Sequence, residues 1–310
     1  MKIKYGTLEK NIDVTEFCYN NLIFCNNTII ISCHDHVRAS LFSDPAHCIK
    51  KSIFINMDDN SEILEYDDTM IIKIDTINKT IKTINVNDKV IIDKLTNLQS
   101  KLKINHGDFQ LEVPEQKMAV RYLTGNEKVL EIGSNIGRNS LIIASILAEK
   151  NNNNFVTIES DENIANHLRE NRDLNNMNFQ IVNAALSKRK LIQKVWNTIE
   201  SDVLLDGYKW VNTITLEELK SKHLIEFDTL ILDCEGAIYY ILLDMPEILN
   251  NINLIIIEND FLSLKEKLYF NEILIKNNFY LDYLEGLDYD PQWNPPCKCN
   301  FFEVWKKIEI

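Results

Sequence analysis

The chain contains no run of about 18 apolar residues, the length a helix needs to cross a bilayer. Its apolar runs are short, and that at residues 254–257 has only the length of a strand. The opening MKIKYGTLEK lacks the apolar core of a secretory signal. The expectation is a soluble protein of the cytoplasm of the producing or host cell, with no membrane partner. Basic side chains are in deficit: 33 Lys plus Arg face 46 Asp plus Glu, a formal charge of -13. Phosphate backbones bind through basic patches that release counterions, so nucleic acid is not expected as the main substrate. A local exception would centre on Lys188, Arg189 and Lys190. Cysteine is sparse and irregular, seven in all, an odd number that suits a reducing compartment and argues against a disulfide framework.

What is present supports a substantial core, since 45% of the residues are hydrophobic. The chain changes character near residue 100. Short β-branched runs at 28–32, 52–56, 70–74 and 79–86 are separated by Asn and Asp, which predicts a small mainly-β module over residues 1–90. Residues 91–107 read as a linker helix, with apolar positions at helical spacing from Val90 to Lys103. From 108 to 310, strands at 128–132, 155–159, 179–183, 229–233, 254–258, 279–284 and 300–305 alternate with helical stretches. That pattern predicts an α/β fold: a mostly parallel seven-stranded sheet with helices on both faces.

The chemistry concentrates where strands end. Glu131 closes an apolar strand, and Gly133, Ser134, Asn135 and Gly137 follow before a helix begins. Glycines let a ligand approach the backbone, and the helix start offers free N–H groups. A dinucleotide site would want GxGxxG, but here the spacing is GxxxG with Asn at 135. With the acid at Glu131, this favours the cationic, phosphate-free S-adenosylmethionine over NAD. Glu159, followed by Ser160, ends the next strand, where a carboxylate can accept from both ribose hydroxyls. Asn183 and Ala184 end the third and are candidates for the adenine. Asp233, Glu235 and Glu258 follow apolar strands on the side where open sheets bind ligands.

Residues 108–305 resemble the FkbM family of methyltransferases. The opening signature is Leu130-Glu131-Ile132-Gly133-Ser134-Asn135-Ile136-Gly137. Ala184-Ala185-Leu186-Ser187, Thr215-Leu216-Glu217-Glu218-Leu219, Leu232-Asp233-Cys234-Glu235-Gly236-Ala237 and the apolar strand ending at Glu258 follow in the family's order. Ile231 and Ile238 depart from it, standing where the family often has Lys and Glu. The resemblance implies a Rossmann-like class I fold, S-adenosylmethionine as cofactor, and methyl transfer to a hydroxyl of a small molecule such as a sugar or glycan precursor. Asp233, Glu235 and Glu258 are the candidate bases; Asp233 also belongs to the cofactor set. The same acids with Asp260 could instead hold Mg²⁺ to polarise a sugar diol. No residue is assigned as a dedicated metal ligand. Transfer to RNA or protein, and an inactive methyltransferase-like scaffold, remain the alternatives.

Within the first 56 residues, Tyr5-Gly6, Ile12-Asp13-Val14-Thr15, Phe42-Ser43-Asp44-Pro45 and Lys51-Ser52-Ile53 resemble a small β module. It recurs in some J-domain proteins and beside glycan enzymes of giant viruses. Ala46 and His47 stand where it usually has Gly. It implies scaffolding or subunit contact, so any homo-oligomer is expected to form through it. Cys33-His34-Asp35-His36 with His47-Cys48 suggests zinc, but neighbours on a strand point to opposite faces, and a polar hairpin is expected instead. Cys297 and Cys299 lack a second pair. Tyr289 and Trp293 are aromatic candidates for an acceptor site or for a packed loop.

Overall fold

A computed structural model describes residues 1–24, 27–58, 62–287 and 295–308. The N-terminal region runs β1 (Lys2–Gly6), β2 (Asn11–Asp13), α1 (Thr15–Asn21), β3 (Ile23–Phe24), β4 (Thr28–Ile31), α2 (Asp35–Phe42), β5 (Ser52–Asn56), β6 (Leu64–Tyr66), β7 (Met70–Asp75) and β8 (Thr80–Asn85). The strands form two antiparallel sheets, ordered β2-β1-β5-β6 and β3-β4-β7-β8. Alternation along β4 and β7 explains how this region is built. Ile29, Ile31, Ile72 and Ile74 pack with Ile3, Tyr5, Ile53 and Ile55 of the other sheet. Ile30 and Ile71 point the other way and join the main core of the chain.

The expected polar hairpin around Cys33 is replaced by α2. Its N-cap, His34, adopts a left-handed φ of 66°, which turns the chain from β4 into the helix. Arg38 locks this corner from inside, donating to the carbonyls of Ser32, Asp67 and Met70 at 2.7–2.9 Å.

The linker helix α3 (Lys89–Gln99) starts where Asp88 caps the Val90 N–H. α4 (Val113–Tyr122) follows. The alternating region then runs β9 (Val129–Ile132), α5 (Arg138–Ala148), β10 (Phe155–Glu159), α6 (Glu162–Leu174), β11 (Gln180–Asn183), β12 (Ala185–Leu186), β13 (Leu191–Lys194), β14 (Asn197–Glu200), β15 (Lys209–Val211), β16 (Thr213–Ile214), α7 (Leu216–His223), β17 (Thr229–Leu232), α8 (Ala237–Asp244), β18 (Leu254–Glu258), α9 (Leu264–Lys276), β19 (Phe279–Glu285) and β20 (Phe302–Lys307).

The main sheet has the order β11-β10-β9-β17-β18-β20-β19. β20 alone runs against its neighbours; the other pairs are parallel. From β9 the sheet grows toward β10 and β11, and from β17 it grows the other way. Right-handed crossovers therefore put α5 and α8 on opposite faces. The reversal lies between β9 and β17, which opens a crevice at their carboxyl ends. Between β11 and α7 the chain adds the parallel pair β12–β16 and the antiparallel sheet β14-β13-β15. Among the described residues, no helix is long and apolar enough to cross a membrane.

Candidate active site

Gly133 opens the crevice with φ of 85°, and a Cβ there would lie 1.5 Å from the Asp233 carbonyl oxygen. No other residue fits so close to the adjacent strand end. Asn135, at φ of 49°, donates its backbone N–H to Glu159 Oε2 at 2.9 Å. The remaining residues of the loop build it from below. Ser134 bonds the Ile158 carbonyl through both its N–H and its hydroxyl. Gly137 lets α5 approach α6, since a Cβ would meet Leu168 Cδ1 at 2.3 Å. Glu131 is buried and accepts from the hydroxyls of Ser140 at 2.5 Å and Thr157 at 2.7 Å. It braces β9, β10 and α5 and does not line the cavity, contrary to the expectation of ligand contact.

A cavity of about 350 Å³ extends from this loop. Gly133, Asn135, Glu159, Ser160, Ala184 and Asp233 line its inner part. Glu159 accepts the Asp161 N–H at 2.8 Å besides that of Asn135. Burial pushes its pKa up to about 7 against these two N–H groups. Asn183 does not line the cavity; its amide bonds the carbonyls of Glu159 and Ser160 at 2.9 and 3.2 Å.

Behind the inner part, the ends of β17 and β18 meet α4. One carboxylate oxygen each from Glu115, Asp233 and Glu258 lies within 4.8 Å of the others. Burial, and then neighbouring carboxylates, raise Asp233 well above the usual range. Glu258 is raised well above it by burial first and by its hydrogen bond with Glu115 next. Three carboxylates this close cannot all ionise unaided. Glu115 Oε2 is buried and has no hydrogen-bond partner among the described residues. Asp233 lines the cavity, whereas Glu258 stands behind it. Glu235 lines the cavity but is exposed and lies outside the trio. Asp260, a candidate cation partner from sequence, instead accepts the backbone N–H groups of Glu235 and Gly236.

Glu115 was missed in the sequence because it precedes the first strand of the alternating region. A signal exists: Glu115, Met118, Ala119 and Tyr122 share one helical face, so an acid occupies a core-facing position.

The outer cavity is closed by the insertion. Trp196 of the β13–β14 turn and Tyr240 of α8 line it. Arg189 ties the insertion to α8, with two bonds to Asp244 at 2.6 and 2.9 Å and its guanidinium 4.9 Å from the Tyr240 ring. Elsewhere in the basic run, Lys188 donates to the Asp244 carbonyl and lies near Glu247, and Lys190 covers Trp210. Among the described residues, no histidine lines the cavity. His106 stacks on His167 at 3.9 Å and pairs with Glu170. Tyr289 and Trp293 lie outside the described residues.

No protein-family model matches the chain, and no curated protein matches it. Solved structures do. A putative O-methyltransferase from Klebsiella pneumoniae is 16% identical over 70% of this chain and 89% of that one, with a TM-score of 0.38. The O-methyltransferase from Bacillus cereus in complex with SAH gives 13%, 70% and 91%, TM-score 0.39. Aeropyrum pernix fibrillarin with natively bound S-adenosyl-L-methionine gives 9%, 77% and 94%, TM-score 0.39. The strand order, with its one reversed strand beside the edge, gives the chain the class I fold of S-adenosylmethionine-dependent methyltransferases.

Proposed function

We propose that this chain transfers the methyl group of S-adenosylmethionine to a hydroxyl oxygen of a small acceptor, a sugar or glycan precursor, as the FkbM-type motifs suggest. The observation that carries the reading is one continuous cavity from Gly133 and Glu159, past Asp233, to Trp196 and Tyr240. Glu159, Glu200, Asp233, Glu235, Asp244 and Glu266 line it, with Arg189 as their sole basic companion among the described residues. Arg189 is itself paired with Asp244 and Glu200. Such a lining repels pyrophosphate and attracts a sulfonium. The aromatic faces of Trp196 and Tyr240 suit a sugar ring.

Bound S-adenosylmethionine would supply an activated methyl group on a positively charged sulfur. Gly133 admits it to the backbone, and Glu159 has lone pairs left for ribose hydroxyls. The acceptor hydroxyl must lose its proton as the new bond forms. Asp233 is the carboxylate at the cavity wall, and Glu258 and Glu115 behind it spread the arriving proton over a shared network. A hard divalent cation such as Mg²⁺ fits the same all-oxygen donors and the orphaned Glu115 oxygen. Glu115, Asp233 and Glu258 would then hold it to lower the pKa of the acceptor hydroxyl.

Calorimetry with S-adenosylhomocysteine tests the cofactor site. Wild type is expected to bind and Gly133→Val to lose binding, because the added side chain meets the Asp233 carbonyl. Equal binding by both proteins refutes the assignment.

A further inference from the structure

A second group of ligating side chains lies away from the cavity, where the N-terminal sheets pack on β19. Cys33, His34 and Glu285 each bring one donor atom within 4.8 Å of the other two. His34 Nε2 lies 3.0 Å from Glu285 Oε1. On a strand, Cys33 and His34 would face opposite ways. β4 ends at Ile31, however, and the left-handed backbone of His34 reverses the chain between the two side chains. Strain of this kind in a residue other than glycine persists only where its surroundings hold it.

Those surroundings are built. Ser32 donates its hydroxyl to the Leu284 carbonyl and accepts the Gly286 N–H, which fixes the turn against β19. Arg38 holds the Ser32 carbonyl from below. Tyr283 donates its hydroxyl to Glu285 Oε2, which orients the carboxylate with Oε1 toward Cys33 and His34. Cys33 is fully buried, and Glu285 is 6% exposed.

We propose that Cys33, His34 and Glu285 bind a zinc ion, with water as the fourth ligand. A sulfur, an imidazole nitrogen and a carboxylate oxygen form a borderline-soft donor set that selects Zn²⁺ over Mg²⁺ or Ca²⁺. On binding, the Cys33 thiol gives its proton to solvent. Thiolate and carboxylate then cancel the charge of the ion, as a buried site requires. The Tyr283 hydroxyl is the outer support that such ligands usually have. The ion would join the turn after β4 to the edge strand of the main sheet.

The test uses the full-length, untagged protein, stripped with chelator and titrated with Zn²⁺ against a chromophoric competitor. A parallel titration uses Co²⁺, whose thiolate charge-transfer band reports a cysteine ligand. Wild type is expected to take one ion per chain, to show the band, and to unfold at higher temperature with zinc present. Cys33→Ala should lose the band. Glu285→Gln and His34→Asn should weaken binding at least about tenfold; asparagine is chosen because it tolerates left-handed backbone. Cys48→Ser, which removes an exposed thiol, should change nothing. Absence of the band in wild type, or equal zinc affinity in wild type and Glu285→Gln, leaves a plain hydrogen bond between His34 and Glu285 and overturns the proposal. Should Cys33→Ala not fold, the other two variants decide.

Discussion

Glu159 has two tasks at one position: its oxygens hold the glycine loop through Asn135 and the following turn through Asp161, and they face the cavity. Ribose hydroxyls donate, so they favour the ionised carboxylate over a group raised to about 7. Affinity for S-adenosylhomocysteine should therefore rise between about pH 6 and 8, and titration calorimetry of Glu159→Gln should show a flatter profile than wild type. Glu159→Ala should weaken binding by about 1–3 kcal/mol. Displacement by NAD at similar concentration would point to a dehydrogenase.

Glu258 poses a different question, because it stands one carboxylate behind the cavity wall. Glu258→Gln should keep cofactor affinity and cut turnover at least tenfold, about 1.4 kcal/mol of barrier. Adding EDTA to the wild-type assay separates the two roles: loss of activity indicates a bound cation, and unchanged activity indicates proton sharing. A Gln variant at the wild-type rate removes Glu258 from the chemistry. These residues were legible in the sequence as acids closing apolar strands. Glu131 has the same look yet points into the protein. The telling signal was Thr157, the polar residue in its own strand, which pairs with Glu131 in register.

At the scale of elements, the strands of the main sheet were readable largely because β17 and β18 are almost wholly apolar and β9, β10 and β19 are apolar runs with one interior polar residue. The insertion was not. Its strands are two to four residues long, too short for alternation to register. The turn joining β13 and β14 also lacks an Asn-Gly or Asp-Gly signal. Val195 occupies it at φ of 54°, where a β-branched side chain is strained. Val195→Asn should relieve that strain and stabilise the protein by about 1 kcal/mol, read as a higher unfolding midpoint. A lower midpoint would mean that the exposed Val195 side chain supports the insertion. The helices α1 and α2 escaped for another reason: each is under three turns, and its start follows from tertiary contacts such as the Arg38 bonds.

For the whole molecule, buried acid is the dominant electrostatic fact. Glu112, Glu131, Glu159 and Asp260 are each raised to about 7, with burial the largest cause. Unfolded, these groups titrate near about 4. Between those values the folded chain keeps protons that the unfolded chain has released, so stability falls as pH rises and levels off above about 7. His223, lowered by burial, acts in the opposite sense but is one group against four. The unfolding midpoint of the cofactor-free protein should be lower at about pH 7.5 than at about pH 5.5. The reverse order would show that the acids are ionised and compensated in the native state.

β20 follows β19 in the chain, yet lies between β18 and β19. Until it inserts, β19 has no neighbour in the sheet. The Ile30 and Ile71 side chains of the N-terminal region then lack a finished surface to pack on. On the ribosome this imposes a delay, because 251 residues separate His34 from Glu285. At about 5–20 residues per second, the outer face of the first region stays bare for roughly 10 to 50 s. For that interval, during its own synthesis, the protein is open at that face to chaperones and to aggregation.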